Sequence, residues 1–319
     1  MTVSRLAPSP TGALHLGNIR TFLWAWLSAR AQRGRVIMRV EDLDSPRVKP
    51  GVTEKMLDDL AWLGFDWDEG PAGCVQTERR AYYREIHEKL RALNSIYPCI
   101  CTRGDIAAAQ SAPHEGDPDG ELRYPGICRG KFADEQSAIA ASATGRAPAW
   151  RLKVEPGLVH YDDLLSGAHA IDVYANIGDF VVAKSPDNPA YQLAVVADDI
   201  AMNMTEVVRG DDLISSTGRQ ILLYRLLGAP IPKFGHVPLV VGPDGKRLAK
   251  RHGDARIASL RAAGIAPSHI ISTLARWSGL ECGPSALPRD LLPLWSWRTV
   301  SRERVVLTPE KLAELEARS

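Results

Sequence analysis

Hydrophobic positions near the start of the chain change period twice within about forty residues. A short β-rich run at 3–7 breaks into the turn Pro8-Ser9-Pro10-Thr11-Gly12, after which Ile19, Phe22, Leu23, Trp26 and Leu27 recur at helical spacing until Gly34. Residues 35–40 then read as a second strand ending at Glu41-Asp42, so the pattern predicts a β-α-β unit with a glycine-bearing turn between strand and helix. Helices are also predicted at 53–63, with Met56, Leu57, Leu60 and Leu63 on one face, and at 82–93.

Between about 97 and 189 the pattern shifts to short strands and loops, including the proline- and glycine-bearing stretch 111–120, and this span reads as an insertion. From Tyr191 the parallel-sheet style returns, with strands expected at 193–196, 207–208 and 237–241 and a helix at 217–227. Helical material is expected over 257–280, then one weak helix at 309–317. The expected division is 1–96 and 190–253 for two halves of one α/β domain, 97–189 for the insertion, and 254–319 for a helical segment and tail.

Composition narrows the classes. The chain has 319 residues, enough for one large α/β domain or two modest ones. Lys and Arg number 39 against 38 Asp and Glu, a net charge of +1, so any nucleic-acid surface must be local. No apolar run approaches the roughly 20 residues of a membrane span, and the first strand begins without a secretory signal, so a cytoplasmic monomer with no membrane association is expected. Three of the five cysteines, Cys99, Cys101 and Cys128, lie close together, and in a reducing compartment clustering suggests a metal before a disulfide.

His15-Leu16-Gly17-Asn18 stands at a strand-to-helix junction, where helix N-terminal N–H groups suit nucleotide phosphates and Gly17 permits close approach. The stretch from Arg5 to Asn18 resembles the first signature of the class I glutamyl-tRNA synthetases, whose HIGH-type element closes it. Val40-Glu41-Asp42-Leu43-Asp44, Leu63-Gly64-Phe65-Asp66-Trp67-Asp68 and Val207-Val208-Arg209-Gly210-Asp211-Asp212-Leu213 resemble further blocks of that family in the same order. The resemblance implies a Rossmann-type parallel sheet split by a zinc-bearing insertion.

It also implies an amino-acid pocket at Arg5, Leu6, Ala7, Pro8, Ser9, Glu41, Tyr191 and Arg209. Charge logic agrees: glutamate carries two carboxylates and one ammonium, which the guanidinium forks of Arg5 and Arg209 and the carboxylate of Glu41 can answer. ATP, with Mg²⁺, is expected at His15, Gly17, Asn18 and Lys250. Lys250 lies in the basic loop 246–251, which resembles the KMSKS-type signature although Arg247 and Ala249 replace its first lysine and its serine. His15 and Lys250 are the expected catalytic groups, His15 as a hydrogen-bond donor rather than a base, because a carboxylate is already ionised near neutral pH.

Short relatives of this family carry Cys-x-Cys followed by Tyr-x-x-x-Cys, which Cys99, Cys101, Tyr124 and Cys128 match, implying one structural Zn²⁺. His114 competes with Tyr124 for the fourth position. About 39 residues follow Leu280, too few for the family's anticodon-binding part, so the chain resembles the shortened paralogue that activates L-glutamate and transfers it to queuosine in the anticodon stem-loop of tRNA(Asp). Two alternatives stay open: charging of a tRNA 3′ end, and a non-catalytic ATP- or tRNA-binding regulator with an altered basic loop. Trp295 and Trp297 are expected to pack against the helical end rather than to stack on bases.

Overall fold

A computed structural model describes residues 1–43, 48–109, 122–246, 248 and 255–317. The expected β-α-β unit is present as β1 (Val3–Leu6), α1 (Leu16–Ala31) and β2 (Arg35–Met38), the two strands pairing in parallel from Val3↔Arg35 to Leu6↔Met38. Helix α1 buries Leu16, Ile19, Leu23, Trp24 and Leu27 in the main core. Its end is fixed by Arg33 in the left-handed region (φ 54°) and by Gly34, where a Cβ would lie 2.5 Å from the carbonyl oxygen of Thr2. Helices α2 (Val52–Trp62) and α3 (Arg80–Ala92) follow as predicted, the latter burying Tyr83, His87 and Leu90 on one face.

The middle of the chain forms β3 (Ile96–Cys99), α4 (Arg103–Ala108), α5 (Glu135–Ala141), β4 (Ala149–Leu152), β5 (Val159–Asp163), β6 (Gly167–Ile171), α6 (Val173–Asn176), β7 (Val181–Ser185) and β8 (Asn188–Pro189). Four of these strands make a sheet in the order β3-β4-β7-β8, antiparallel throughout. The β5-β6 hairpin does not join them. It adds to the parallel pair made later by β9 (Glu206–Gly210) and β10 (Lys233–Val237), in the order β6-β5-β10-β9. A hydrogen bond from the Thr205 N–H to the Val3 carbonyl, 2.9 Å, sets β9 beside β1. Two stretches far apart in sequence therefore meet at the C-terminal ends of parallel strands, where α/β folds place ligands.

Two expectations need correction. Residues 193–196 are not a strand: they lie in α7 (Tyr191–Ala201), in which every residue from Gln192 to Asp199 is buried. A helix covered on all sides has no polar stripe, and its short apolar runs carry the same pattern as an interior strand. The single strand expected at 237–241 is broken at Pro238 into β10 and β11 (Val240–Val241), consistent with proline's missing donor. Helix α8 (Ile214–Leu227) covers the predicted 217–227 and starts one turn earlier.

The helical material after the basic loop is α9 (Ile257–Ala262) and α10 (Pro267–Arg276). The tail then folds back through β12 (Val305–Val306), which pairs in parallel with β11, and ends in α11 (Pro309–Glu316). Trp295 stacks on Trp24 of α1 at 5.1 Å between ring centroids, and Trp297 lies against Gly235 of β10, where a Cβ would meet its ring at 2.6 Å. Both indoles pack on the body, as expected. Among the described residues no helix is long and apolar enough to cross a membrane.

Candidate active site and metal centre

A cleft of about 490 Å³ opens between the β1-α1 turn, the start of α7 and the ends of β9 and β11. Arg5, Ala7, Pro8, Ser9, His15, Gly17, Asn18, Glu41, Tyr191 and Arg209 all line it. Leu6 does not: it is fully buried in the core, its strand position turning the side chain away from its neighbours Arg5 and Ala7. Lys250, with Arg247, Ala249, Asp44 and the competing ligand His114, lies outside the described residues. Leu248, within the basic loop, lines the cleft, and the chain from 255 onward lies against the first turn of α1: Ala255 accepts from the Leu16 N–H (3.0 Å) and Ile257 donates to the Leu14 carbonyl (2.9 Å).

That first turn is organised by His15. Its Nδ1 accepts from the Gly17 N–H at 3.1 Å, and its own N–H donates to Asn18 Oδ1 at 3.1 Å, a reciprocal cap. With Nδ1 accepting, the neutral ring carries its proton on Nε2, a donor of the kind a phosphate oxygen needs. The expectation that backbone N–H groups here receive phosphate is corrected: those of Leu16, Gly17, Asn18 and Ile19 all have partners within the protein. Gly17 serves space instead, since a Cβ would lie 3.0 Å from His15 Cε1.

The charges at the other end are arranged through a partner that sequence reasoning missed. Arg39, fully buried, donates to Glu41 at 2.9 Å and is ion-paired with Asp199, which also accepts from Tyr224 at 3.1 Å. Arg5 donates to the Val208 carbonyl at 2.9 Å, with its Nε 3.8 Å from Asp199. Burial raises the Glu41 carboxyl, outweighing Arg39 and Arg5, so the ionised form would gain from a further cation.

Arg209 has the opposite need. It is 5% exposed, and burial lowers its basicity. It donates to His236 Nε2 (3.1 Å), Gln220 Oε1 (2.7 Å), Thr217 Oγ1 (2.8 Å) and, at 3.4 Å, the Leu213 carbonyl, so it offers a single uncommitted N–H rather than the open fork expected. His236 in turn donates from Nδ1 to Asp163 at 2.7 Å. Burial pushes His236 down to about 4, while Asp163, despite burial, is held at about 2 by hydrogen bonds from His236, Ser166 and Leu165. These residues sit on β5, α8 and β10, and no motif spacing links them; Asp163 and His236 are 73 positions apart.

In the middle of the chain Cys99, Cys101 and Cys128 converge, their sulfurs all within 4.8 Å of one another. The Tyr124 hydroxyl is 3.3 Å from Cys99 Sγ and 3.7 Å from Cys101 Sγ. Tetrahedral zinc with bonds of about 2.3 Å separates its sulfur ligands by roughly 3.8 Å, so the four donors fit such an ion with little movement. Burial pushes Cys101 up to about 12, and a cation is what would favour its thiolate.

Residues 1–282 match the family described as tRNA synthetases class I (E and Q), catalytic domain. A glutamate tRNA ligase from Elizabethkingia meningosepticum, solved in complex with its amino acid, superposes with a TM-score of 0.82 at 26% identity, over 98% of this chain and 68% of that one. Fold and cleft thus define a class I tRNA synthetase catalytic unit. The chain is 45% identical, over 99% of its length and 98% of the relative's, to the glutamyl-Q tRNA(Asp) synthetase of Symbiobacterium thermophilum, and 48% identical, over 87% and 85%, to that of Rhodopirellula baltica. It belongs to the glutamyl-Q tRNA(Asp) synthetase family, ligases within that class.

Proposed function

We propose that the cleft binds L-glutamate and ATP with Mg²⁺, forms glutamyl-adenylate, and transfers the glutamyl group to queuosine in the anticodon stem-loop of tRNA(Asp). The observation that carries the amino-acid assignment is Arg209: a buried guanidinium whose protein partners, among the described residues, are all neutral, in the same cleft as a carboxylate that gains from a cation. Glutamate can answer both, its side-chain carboxylate toward Arg209 and its ammonium toward Glu41, which already pairs with Arg39. In the first step a glutamate carboxylate oxygen attacks the α-phosphorus of ATP and pyrophosphate leaves. His15 donates to phosphate oxygens, and Lys250 stabilises charge growing on the leaving group. In the second step a hydroxyl of the queuosine cyclopentene diol attacks the mixed anhydride, much as a ribose hydroxyl would, and AMP departs. Unpaired loop bases are the part of an RNA most open to specific reading.

Cys99, Cys101, Tyr124 and Cys128 would hold one Zn²⁺, which when bound ties β3 to the segment around Tyr124 and braces the middle of the chain. Glutamate-dependent exchange of pyrophosphate into ATP tests the first step, and exchange supported equally by aspartate or glutamine would show that the pocket was misassigned. For the second, labelled glutamate is followed on tRNA(Asp) with queuosine, the same tRNA without it, and tRNA(Glu). Transfer only to the first is expected; efficient charging of tRNA(Glu) would refute the acceptor while leaving the adenylation intact.

A further inference from the structure

We propose that Gln220 and His236 set the preference of this pocket for a carboxylate over a carboxamide, by keeping every protein acceptor on Arg209 uncharged. The inference rests on the glutamate-binding reading above. Four of the five guanidinium N–H bonds are committed, to an imidazole nitrogen, an amide oxygen, a hydroxyl and a peptide carbonyl. Among the described residues no carboxylate is hydrogen-bonded to or ion-paired with this arginine.

Each neutral acceptor is itself held in orientation. Gln220 Nε2 donates to Gln192 Oε1 at 2.8 Å, and Gln192 is itself fixed by donating from Nε2 to Ser216 Oγ at 2.9 Å, so turning the Gln220 amide would break its bonds to both Gln192 and Arg209. His236 Nδ1 faces Asp163, whose carboxylate also accepts the backbone N–H groups of Leu165, Ser166 and His236 at 2.9, 2.9 and 3.0 Å. That arrangement leaves the lone pair of Nε2 for Arg209 and interposes an imidazole between the anion and the guanidinium. The cation reaches the cleft oriented, with the Asp199 carboxylate acting on it only without direct contact, and an anionic ligand is what pairs with it; a carboxamide accepts the hydrogen bond without supplying the charge. A glutamate at position 220 would have the size of the present side chain and would neutralise Arg209 from within. The choice of an amide there is therefore part of substrate selection.

The test is pyrophosphate exchange with glutamate and with glutamine on Gln220→Glu, Gln220→Met and His236→Gln, each checked for folding by its melting temperature. Gln220→Glu is expected to raise the KM for glutamate about 100-fold, to shrink the glutamate-over-glutamine ratio by at least tenfold, and to leave the KM for ATP unchanged. Gln220→Met removes an acceptor without adding charge, and His236→Gln places an amide oxygen near Nε2; both are expected to keep the preference for glutamate. Should Gln220→Glu fail to fold, Thr217→Asp brings a carboxylate to another Arg209 contact and must give the same loss of discrimination. Wild-type discrimination in a folded Gln220→Glu, or equal loss in Gln220→Met, overturns the proposal. Absence of glutamate-dependent exchange in the wild type would instead overturn the glutamate reading itself.

Discussion

His236 offers a prediction whose size follows from its surroundings. Its side chain has no exposed surface, and burial holds it at about 4 against an ordinary value near 6.5. Above both values the imidazole is neutral in the folded and unfolded chains and contributes nothing to pH dependence. As the pH falls through about 6.5 the unfolded chain takes up a proton that the folded chain refuses, so stability declines until the folded value of about 4 is reached. Between pH 7 and pH 5 this linkage removes about 2 kcal/mol. Urea unfolding of wild type and His236→Gln at the two pH values measures it, since the glutamine cannot titrate. Buried His87, also lowered by burial, is common to both proteins and cancels in the difference. Wild type should lose about 2 kcal/mol more than the variant over that range. Equal losses, or an imidazole resonance for His236 titrating near 6.5, would refute the assignment of a neutral acceptor beside Arg209.

Two further outcomes are expected. Lys250→Ala should slow glutamate-dependent pyrophosphate exchange about 100-fold with a smaller effect on the KM for glutamate, and an unchanged rate would move the role to Arg247 or Arg251. Elemental analysis of protein purified without chelators should find one zinc per chain, lost in Cys128→Ser and weakened in Tyr124→Phe; retention in Cys128→Ser would exclude the proposed ligand set.

Local signals carried the sequence reading far. The first β-α-β unit and the helices at 52–62 and 80–92 were visible because each has a self-contained periodicity, and the pocket residues of the turn and of Glu41 because they lie within short blocks that resemble a known family's. What stayed hidden depended on long-range contact. The run 193–196 has the composition of a buried strand, and only its enclosure on all sides makes it helical. Arg39 is one residue among a strand's alternating positions until Asp199 arrives 160 residues later to pair with it. The fork of Arg209 reads as available until His236, Gln220 and Thr217 are found on it. Likewise, the first N–H of α1, that of Leu16, looks free until Ala255 is seen coming back to meet it.

The pairing of β11 with β12 changes where the working protein ends. The matched catalytic family stops at residue 282, yet Val305 and Val306 complete the edge of a strand that borders the cleft, Trp297 supports Gly235 beside His236, and Arg304 reaches Asp211 at 3.2 Å. A protein trimmed at the family boundary would bare the faces of Trp24 and Gly235 and leave β11 without its neighbour at the root of the basic loop. The stretch from 283 to 317 thus backs β10 and β11, the latter bordering the cleft, and anything that grips it from outside acts on those strands as well.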